Sequence, residues 1–335
     1  MSQNLSPLVI LSDQRGVVTI EPLGDGRNRV SVSSADSAER LLSQCESAYP
    51  PELIERLLHV KGSAYLCQEI TREENPAEIL RQLRFDVLSY VAAKDLAGKR
   101  ILDFACGCGA SSMALLKLCP QAQVVGVELR ADCVQAAREI AAFYGVSERA
   151  TFHHSPDSGN LPANLGRFDF VLMSAVYEHL LPKERAALLP QLWESLEPGG
   201  TLFLNQTPQR FFPVEVHTTK LPLINYLPDG LALRVARIAS RRVRAGESWE
   251  SLLRRGIRGA SVGEILRRLP RGSGRPRLLA PIAKGIRDQI DIWYAWSLES
   301  RRSLSTDVTR AMLKMVKGVS GVDLAPSVAI AIQKE

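Results

Sequence analysis

Between Arg100 and Arg130 the chain runs through a hydrophobic strand, a glycine-rich turn, a helix and a second strand ending in an acid, an order that leaves few folds open. Ile101-Leu102-Asp103-Phe104 reads as a buried strand and Ala105-Cys106-Gly107-Cys108-Gly109 as the turn. Ala110 to Leu118 reads as the helix and Val124-Val125-Gly126-Val127-Glu128 as the next strand. Small residues let the turn backbone approach a ligand closely, and the helix N-terminus offers unpaired N–H groups. An acid at the tip of the second strand, here Glu128, suits the two hydroxyls of a ribose. The pattern predicts a nucleoside-cofactor site on an open α/β sheet.

The turn narrows the choice of cofactor. A dinucleotide site wants G-x-G-x-x-G, whose third glycine allows close helix–strand packing beneath a pyrophosphate; here that position is Ser112. Asp103 stands just before the turn, where its charge disfavours a diphosphate and suits a cationic ligand. These residues resemble motif I of the class I S-adenosylmethionine-dependent methyltransferases, an acid followed by G-x-G-x-G, with Ala105 in place of the first glycine. The resemblance continues in order along the chain. Asp157-Ser158-Gly159-Asn160-Leu161-Pro162 is similar to the family's adenine-binding D-A-x-x-L-P, and Phe168-Asp169-Phe170-Val171 to its F-D-x-V fourth strand. Tyr177-Glu178-His179-Leu180 resembles the "EHL" signature, and Leu196-Glu197-Pro198-Gly199-Gly200 the L-x-P-G-G turn into the fifth strand.

That resemblance implies a Rossmann-like seven-stranded, mostly parallel sheet with helices on both faces. It implies S-adenosylmethionine as cofactor, held by Asp103, Ala105, Cys106, Gly107, Gly109, Glu128, Leu129, Asp157 and Ser158. Arg72, in a charged stretch read as a connection between helices, is a further candidate, pairing with the methionyl carboxylate.

Five regions are expected. Residues 1–46 are a serine-rich arm with two strand-like runs, Gly16 to Ile20 and Arg29 to Val32, that suit a small hairpin. Residues 47–98 are an N-terminal helical extension: Pro50-Pro51 starts one helix, and Asn75-Pro76 another with Ile79, Leu80, Leu83 and Val87 at helical spacing. The cofactor-binding core covers 99–207. From 208 to 324 the sheet is interrupted by helical insertions after strands 5 and 6, with Ser261 to Leu266 starting a delayed helix and Arg277 to Leu279 a sixth strand. Residues 325–335 close with the last strand. Insertions there lie at the carboxyl edge of the sheet, where open α/β folds bind ligands, and so predict a substrate lid.

Charge concentrates in that lid. From Leu231 to Asp291 there are 15 Lys and Arg against 5 Asp and Glu, a net +10 in a chain of +6. Arg234, Arg237, Arg241 and Arg244 fall at helical spacing, predicting one basic helix side that suits a solvated face or an anionic membrane surface with a lipid-linked acceptor. No RNA-binding module or aromatic platform accompanies the arginines, which argues against nucleic acid. Six cysteines without C-x-x-C spacing read as reduced thiols of a cytoplasmic protein, peripheral at most to the inner membrane face. The first residues carry no basic and apolar leader pattern, and no apolar run approaches the roughly 20 residues of a membrane span.

A sulfonium methyl is already electrophilic, so the protein must align the acceptor and, for a hydroxyl, help remove its proton. His179 and His217 are the candidate bases. Ubiquinone-pathway O-methyltransferases carry E-x-x-E-H at this point. Here the first position is Ala175, and Glu178 with His179 alone make a poor site, so no metal is expected. The expected function is methyl transfer from S-adenosylmethionine to an oxygen of a small molecule, sugar or lipid-linked acceptor. The alternatives are methylation of RNA or protein, and a non-catalytic S-adenosylmethionine-binding regulator.

Overall fold

A computed structural model describes residues 8–300 and 303–335. Residues 1–7, which include the segment read above for a leader, lie outside it. In chain order the elements are β1 (Val9–Ser12), β2 (Gly16–Pro22), β3 (Asn28–Ser34), β4 (Ser37–Ser47), α1 (Pro51–Lys61), α2 (Ser63–Glu74), α3 (Ala77–Asp86), β5 (Arg100–Phe104), α4 (Ala110–Leu118), β6 (Gln123–Glu128), α5 (Ala131–Phe143) and β7 (Ala150–His154). There follow β8 (Phe168–Ser174), α6 (Pro182–Glu194), β9 (Leu196–Pro208), α7 (Asp229–Ala239), α8 (Trp249–Arg254), α9 (Val262–Arg268), β10 (Pro276–Leu278), α10 (Gln289–Ser300), α11 (Leu304–Ser320) and β11 (Ser327–Lys334). The central sheet has seven strands in the order β10-β11-β9-β8-β5-β6-β7, the Rossmann-like arrangement the resemblance implies.

The chain divides into two compact units. One holds the described residues up to Leu80 with Cys106–Leu118 and Val124–His154. Its N-terminal part is an antiparallel sheet, β1-β2-β3-β4, in place of the single hairpin expected. Val18, Ile20, Val30 and Val32 alternate onto one face at no more than 1% exposure, with Val18 opposite Val32 and Ile20 opposite Val30. Such period-2 burial needs a cover, and α2 supplies it. The stretch Gln68 to Glu74, read as a charged connection, is the second half of that helix. Leu66, Cys67, Ile70 and Glu73 are buried at helical spacing, which outweighs the charge of the intervening residues.

The other unit holds Arg81–Ala105, Cys119–Gln123 and Ser155–Glu335. Parallel β5, β8 and β9 stand side by side, and β11 runs antiparallel between β9 and β10. Lys334, 4% exposed, places its ammonium 2.8 Å from each of the carbonyls of Trp193, left free at the end of α6, and Leu196, at the start of β9. The inserted segment carries a core of its own, in which Ile224, Ala232, Ala236, Val243, Leu252 and Ile257 pack together.

The basic helix side does not form. α7 stops at Ala239, because Ser240 turns to extended backbone and its hydroxyl donates to the Thr219 carbonyl (2.8 Å). Arg241 and Arg244 therefore lie beyond the helix that carries Arg234 and Arg237, and Arg237 donates to the Glu247 carbonyl. Much of the surrounding charge is internally paired: Arg254 with Glu184, Arg255 with Glu247, Arg258 with Asp229 and Arg268 with Glu264. Among the described residues no helix is long and apolar enough to cross a membrane.

Candidate functional site

The cofactor turn is held by its own backbone. The Cys106 N–H donates to the Val127 carbonyl (3.2 Å) and the Gly109 N–H to the Cys106 carbonyl (3.0 Å). Glu128, at the end of β6, ties the turn to the strand: one carboxylate oxygen accepts from Gly107 N–H at 3.1 Å, the other from Arg130 N–H at 3.0 Å. Each oxygen keeps lone-pair capacity for a further donor, as a ribose hydroxyl requires. Gly109 sits at φ 97°, where a side chain is strained, and a Cβ there would press to 3.3 Å on Ala137 and Phe152. Cys106 and Cys108 are buried, Leu129 is exposed beside Glu128, and Arg72 is exposed in the last turn of α2.

Of the remaining predicted cofactor residues, Asp103 is 2% exposed near the end of β5. Ala105 takes φ 60°, the left-handed conformation for which the family uses glycine, so the substitution keeps the loop shape at a cost of about 1 kcal/mol. Asp157 closes a small turn, accepting from Gly159 N–H (2.7 Å) and the Asn160 amide (2.9 Å), which hold its exposed carboxyl below the usual range. Ser158 donates to Glu184 at 2.6 Å.

A second group of side chains gathers at the carboxyl ends of β8 and β9. Ala175 and Gln206 both have left-handed φ, 53° and 59°, and such strain in non-glycine residues concentrates at functional sites. Asn205 is fully buried with neither polar side-chain atom hydrogen-bonded. Glu178 is also fully buried: one oxygen accepts from the Thr207 hydroxyl at 2.8 Å, and the other, Oε1, has no hydrogen-bond partner. Burial pushes its pKa above the usual carboxylate range. Oε1 lies 3.7 Å from His179 Nε2, while His179 Nδ1 lies 2.7 Å from the Arg254 carbonyl.

His217 comes from the loop after β9, and its ring centroid stands 5.4 Å from that of His179. The loop is fixed by Glu215, which accepts from the N–H groups of His217 and Thr218 and from the Thr219 hydroxyl. Although His217 has exposed surface, its ring packs on Gly256, where an added Cβ would come within 2.7 Å of Cδ2. This packing, and then the neighbouring His179, lower its pKa. The two predicted bases thus share one site with Glu178, so that three ligand-capable groups come together where the sequence motif offered two.

His217 also lines a cavity of about 260 Å³, together with Asp86, Gln206, Ile292, Trp293 and Trp296. Two indoles and a few polar groups are the usual lining of a small-molecule pocket. Asp86, 6% exposed at the end of α3, accepts from the Gln206 amide at 3.0 Å, and burial pushes its carboxyl up to about 7. Sequence reading passed over Asp86, since Phe85-Asp86-Val87 carries no motif and only the fold brings it opposite Gln206. Trp293 and Trp296 likewise carried no signal beyond their size and their place in an inserted helix.

Residues 101–200 match a family model described as a methyltransferase domain. With the sheet order and the turn–acid pair above, the match supports a class I S-adenosylmethionine-dependent methyltransferase domain over those residues. The chain is 33% identical over 144 residues to the ubiquinone biosynthesis O-methyltransferase of Xanthomonas oryzae pv. oryzae, covering 41% of this chain and 56% of that protein. It is 34% identical over 118 residues to the ribosomal protein L11 methyltransferase of Serratia proteamaculans, covering 35% and 37%. The chain therefore spans about half the length, or less, of these curated relatives. Among solved structures, mitomycin 7-O-methyltransferase MmcR aligns with 85% of this chain and 66% of its own at 15% identity, with a TM-score of 0.42.

Proposed function

We propose that this protein transfers the methyl group of S-adenosylmethionine to an oxygen of a small molecule bound in the cavity of Asp86, Gln206, His217, Trp293 and Trp296. The observation that carries the reading is the cavity itself. At about 260 Å³ it lies just below the usual range of small-molecule sites, a size that one or two rings fill. It opens beside strained residues at the carboxyl ends of β8 and β9, the edge at which open α/β sheets bind ligands. The indoles favour a flat acceptor, and Asp86 with Gln206 offers it hydrogen bonds. Glu128 takes the ribose of the cofactor, and Asp157 and Ser158 take its adenine. The cluster of His179 and His217 is where the acceptor hydroxyl loses its proton, which must leave for oxygen to attack the sulfonium methyl in line.

A lipid-linked acceptor drawn to an anionic surface needs the four arginines on one side, and the end of α7 at Ala239 separates them. Protein methylation is a second reading, favoured by the likeness to ribosomal protein L11 methyltransferases. The test is transfer of a labelled methyl group from S-adenosylmethionine to a panel of one- and two-ring phenols, run beside ribosomal protein and RNA. Label in phenols, reduced in Trp293→Ala, supports the reading. Label confined to protein or RNA overturns it, and micromolar cofactor binding without label in any acceptor points to the regulatory alternative.

A further inference from the structure

We infer that Glu178, His179 and His217 form a divalent-metal site that takes a borderline transition-metal cation such as Zn²⁺ or Co²⁺. Each residue offers one ligand atom, and these atoms lie within 4.8 Å of one another. Ligands about 2.0–2.1 Å from a tetrahedral Zn²⁺ stand roughly 3.3 Å apart; Glu178 Oε1 and His179 Nε2 are already at 3.7 Å, and the His217 loop would have to close further onto them.

Three features beyond proximity point to a cation. Glu178 is fully buried, yet only one of its oxygens is hydrogen-bonded; Oε1 faces the imidazoles without a donor. A buried carboxylate oxygen left unpaired is costly, and a cation is the partner it lacks. The bond at His179 Nδ1 goes to a carbonyl, which only accepts, so Nδ1 carries the proton and Nε2, the nitrogen toward Glu178, keeps its lone pair. A metal-binding histidine is oriented in this way, with its second nitrogen donating to a backbone carbonyl. Finally, the surrounding guanidinium groups are engaged elsewhere: Arg254 with Glu184, and Arg185 with Glu264 and the Gly259 carbonyl. Neither occupies Oε1.

Two imidazoles and one carboxylate suit transition-metal dications better than Mg²⁺, which favours oxygen donors and retains its water. Three protein ligands leave a position for an oxygen ligand. This inference meets the proposed function at His217, which belongs to both the cluster and the cavity wall. A cation held there would lower the pKa of a hydroxyl brought to it, so that solvent water could accept the acceptor's proton in place of the two imidazoles that hold the metal. That use rests on the proposed function, whereas metal binding itself does not.

The experiment titrates the full chain, stripped with chelator and free of any affinity tag, with Co²⁺ followed by visible absorption, then with Zn²⁺ in competition. Calorimetry of S-adenosylmethionine binding runs in parallel. One equivalent of Co²⁺ with intense d–d bands displaced by Zn²⁺ is expected. His217→Ala and Glu178→Gln should each weaken binding at least tenfold. His217, on a surface loop, tests the site if the buried Glu178 variant fails to fold, and zinc-edge absorption of the parent protein should show two imidazoles in the first shell. Absence of stoichiometric binding, or binding unchanged in His217→Ala, overturns the inference. Cofactor binding and phenol methylation in a chain that takes up no metal would overturn it while leaving the proposed function standing. Metal binding with no methylated hydroxyl would do the reverse.

Discussion

Replacing Asp86 by Asn should make the protein more stable at alkaline pH while leaving it little changed in acid. The carboxyl is 6% exposed, has one hydrogen bond, from Gln206, and titrates at about 7 instead of 3.8 because burial penalises its charge. Between those two values the folded protein binds more protons at this site than the unfolded chain, so stability falls as pH rises through the window and the full loss is present above about 7. A shift of roughly 3 units at 1.36 kcal/mol each sets the cost on the order of 4 kcal/mol, less whatever solvent in the cavity screens. Asparagine does not titrate there and its carbonyl still accepts from Gln206, so the difference between variant and parent should open with pH. Urea unfolding at about pH 4.5, 6 and 8.5 measures that difference directly. A gap that is constant across the series would refute the account of Asp86 as a buried acid forced to ionise.

Two further outcomes are expected. Glu128→Ala should weaken S-adenosylmethionine binding by roughly 1–3 kcal/mol in calorimetry, since it removes the ribose acceptor and releases the Gly107 N–H that shapes the turn; an unchanged dissociation constant would overturn the site. Glu73 is 1% exposed with both oxygens unpaired, and burial, then Glu69, pushes it up to about 8 from 4.5. Glu73→Gln should therefore gain thermal midpoint relative to the parent as pH rises from 4.5 to about 8, and parallel melting curves across that range would contradict it.

Local order made the cofactor half of the site legible. A strand, a small-residue turn, a helix and a terminal acid follow one another within about thirty residues, and each needs only its own neighbours to be recognised. The same holds for the last strand, whose apolar residues run Val328 to Ile332, whereas Leu196 to Gly200, expected as a turn into the fifth strand, already belongs to β9. The N-terminal sheet was half legible. Two of its strands announce themselves by β-branched alternation, but β4 is rich in serine and charge and is a strand because β3 pairs with it. α7 was overread in the opposite sense: arginine periodicity continues past the point where the Ser240 hydroxyl finds the Thr219 carbonyl and the helix ends.

By itself the sequence determined the methyltransferase-like core, its sheet and the shape of the glycine-rich turn, because those depend on spacing along the chain. Only the tertiary structure decided which distant groups come together at the cluster and at the cavity. It brought His217, from a loop with no motif, to Glu178 and His179, and it set Asp86 at the end of one helix against Gln206 at the end of a strand. It also left Glu178 Oε1 without a donor, a fact about three-dimensional surroundings that composition does not carry. Contacts between residues far apart in the chain depend on how every intervening element packs, and no local pattern of residue types encodes that.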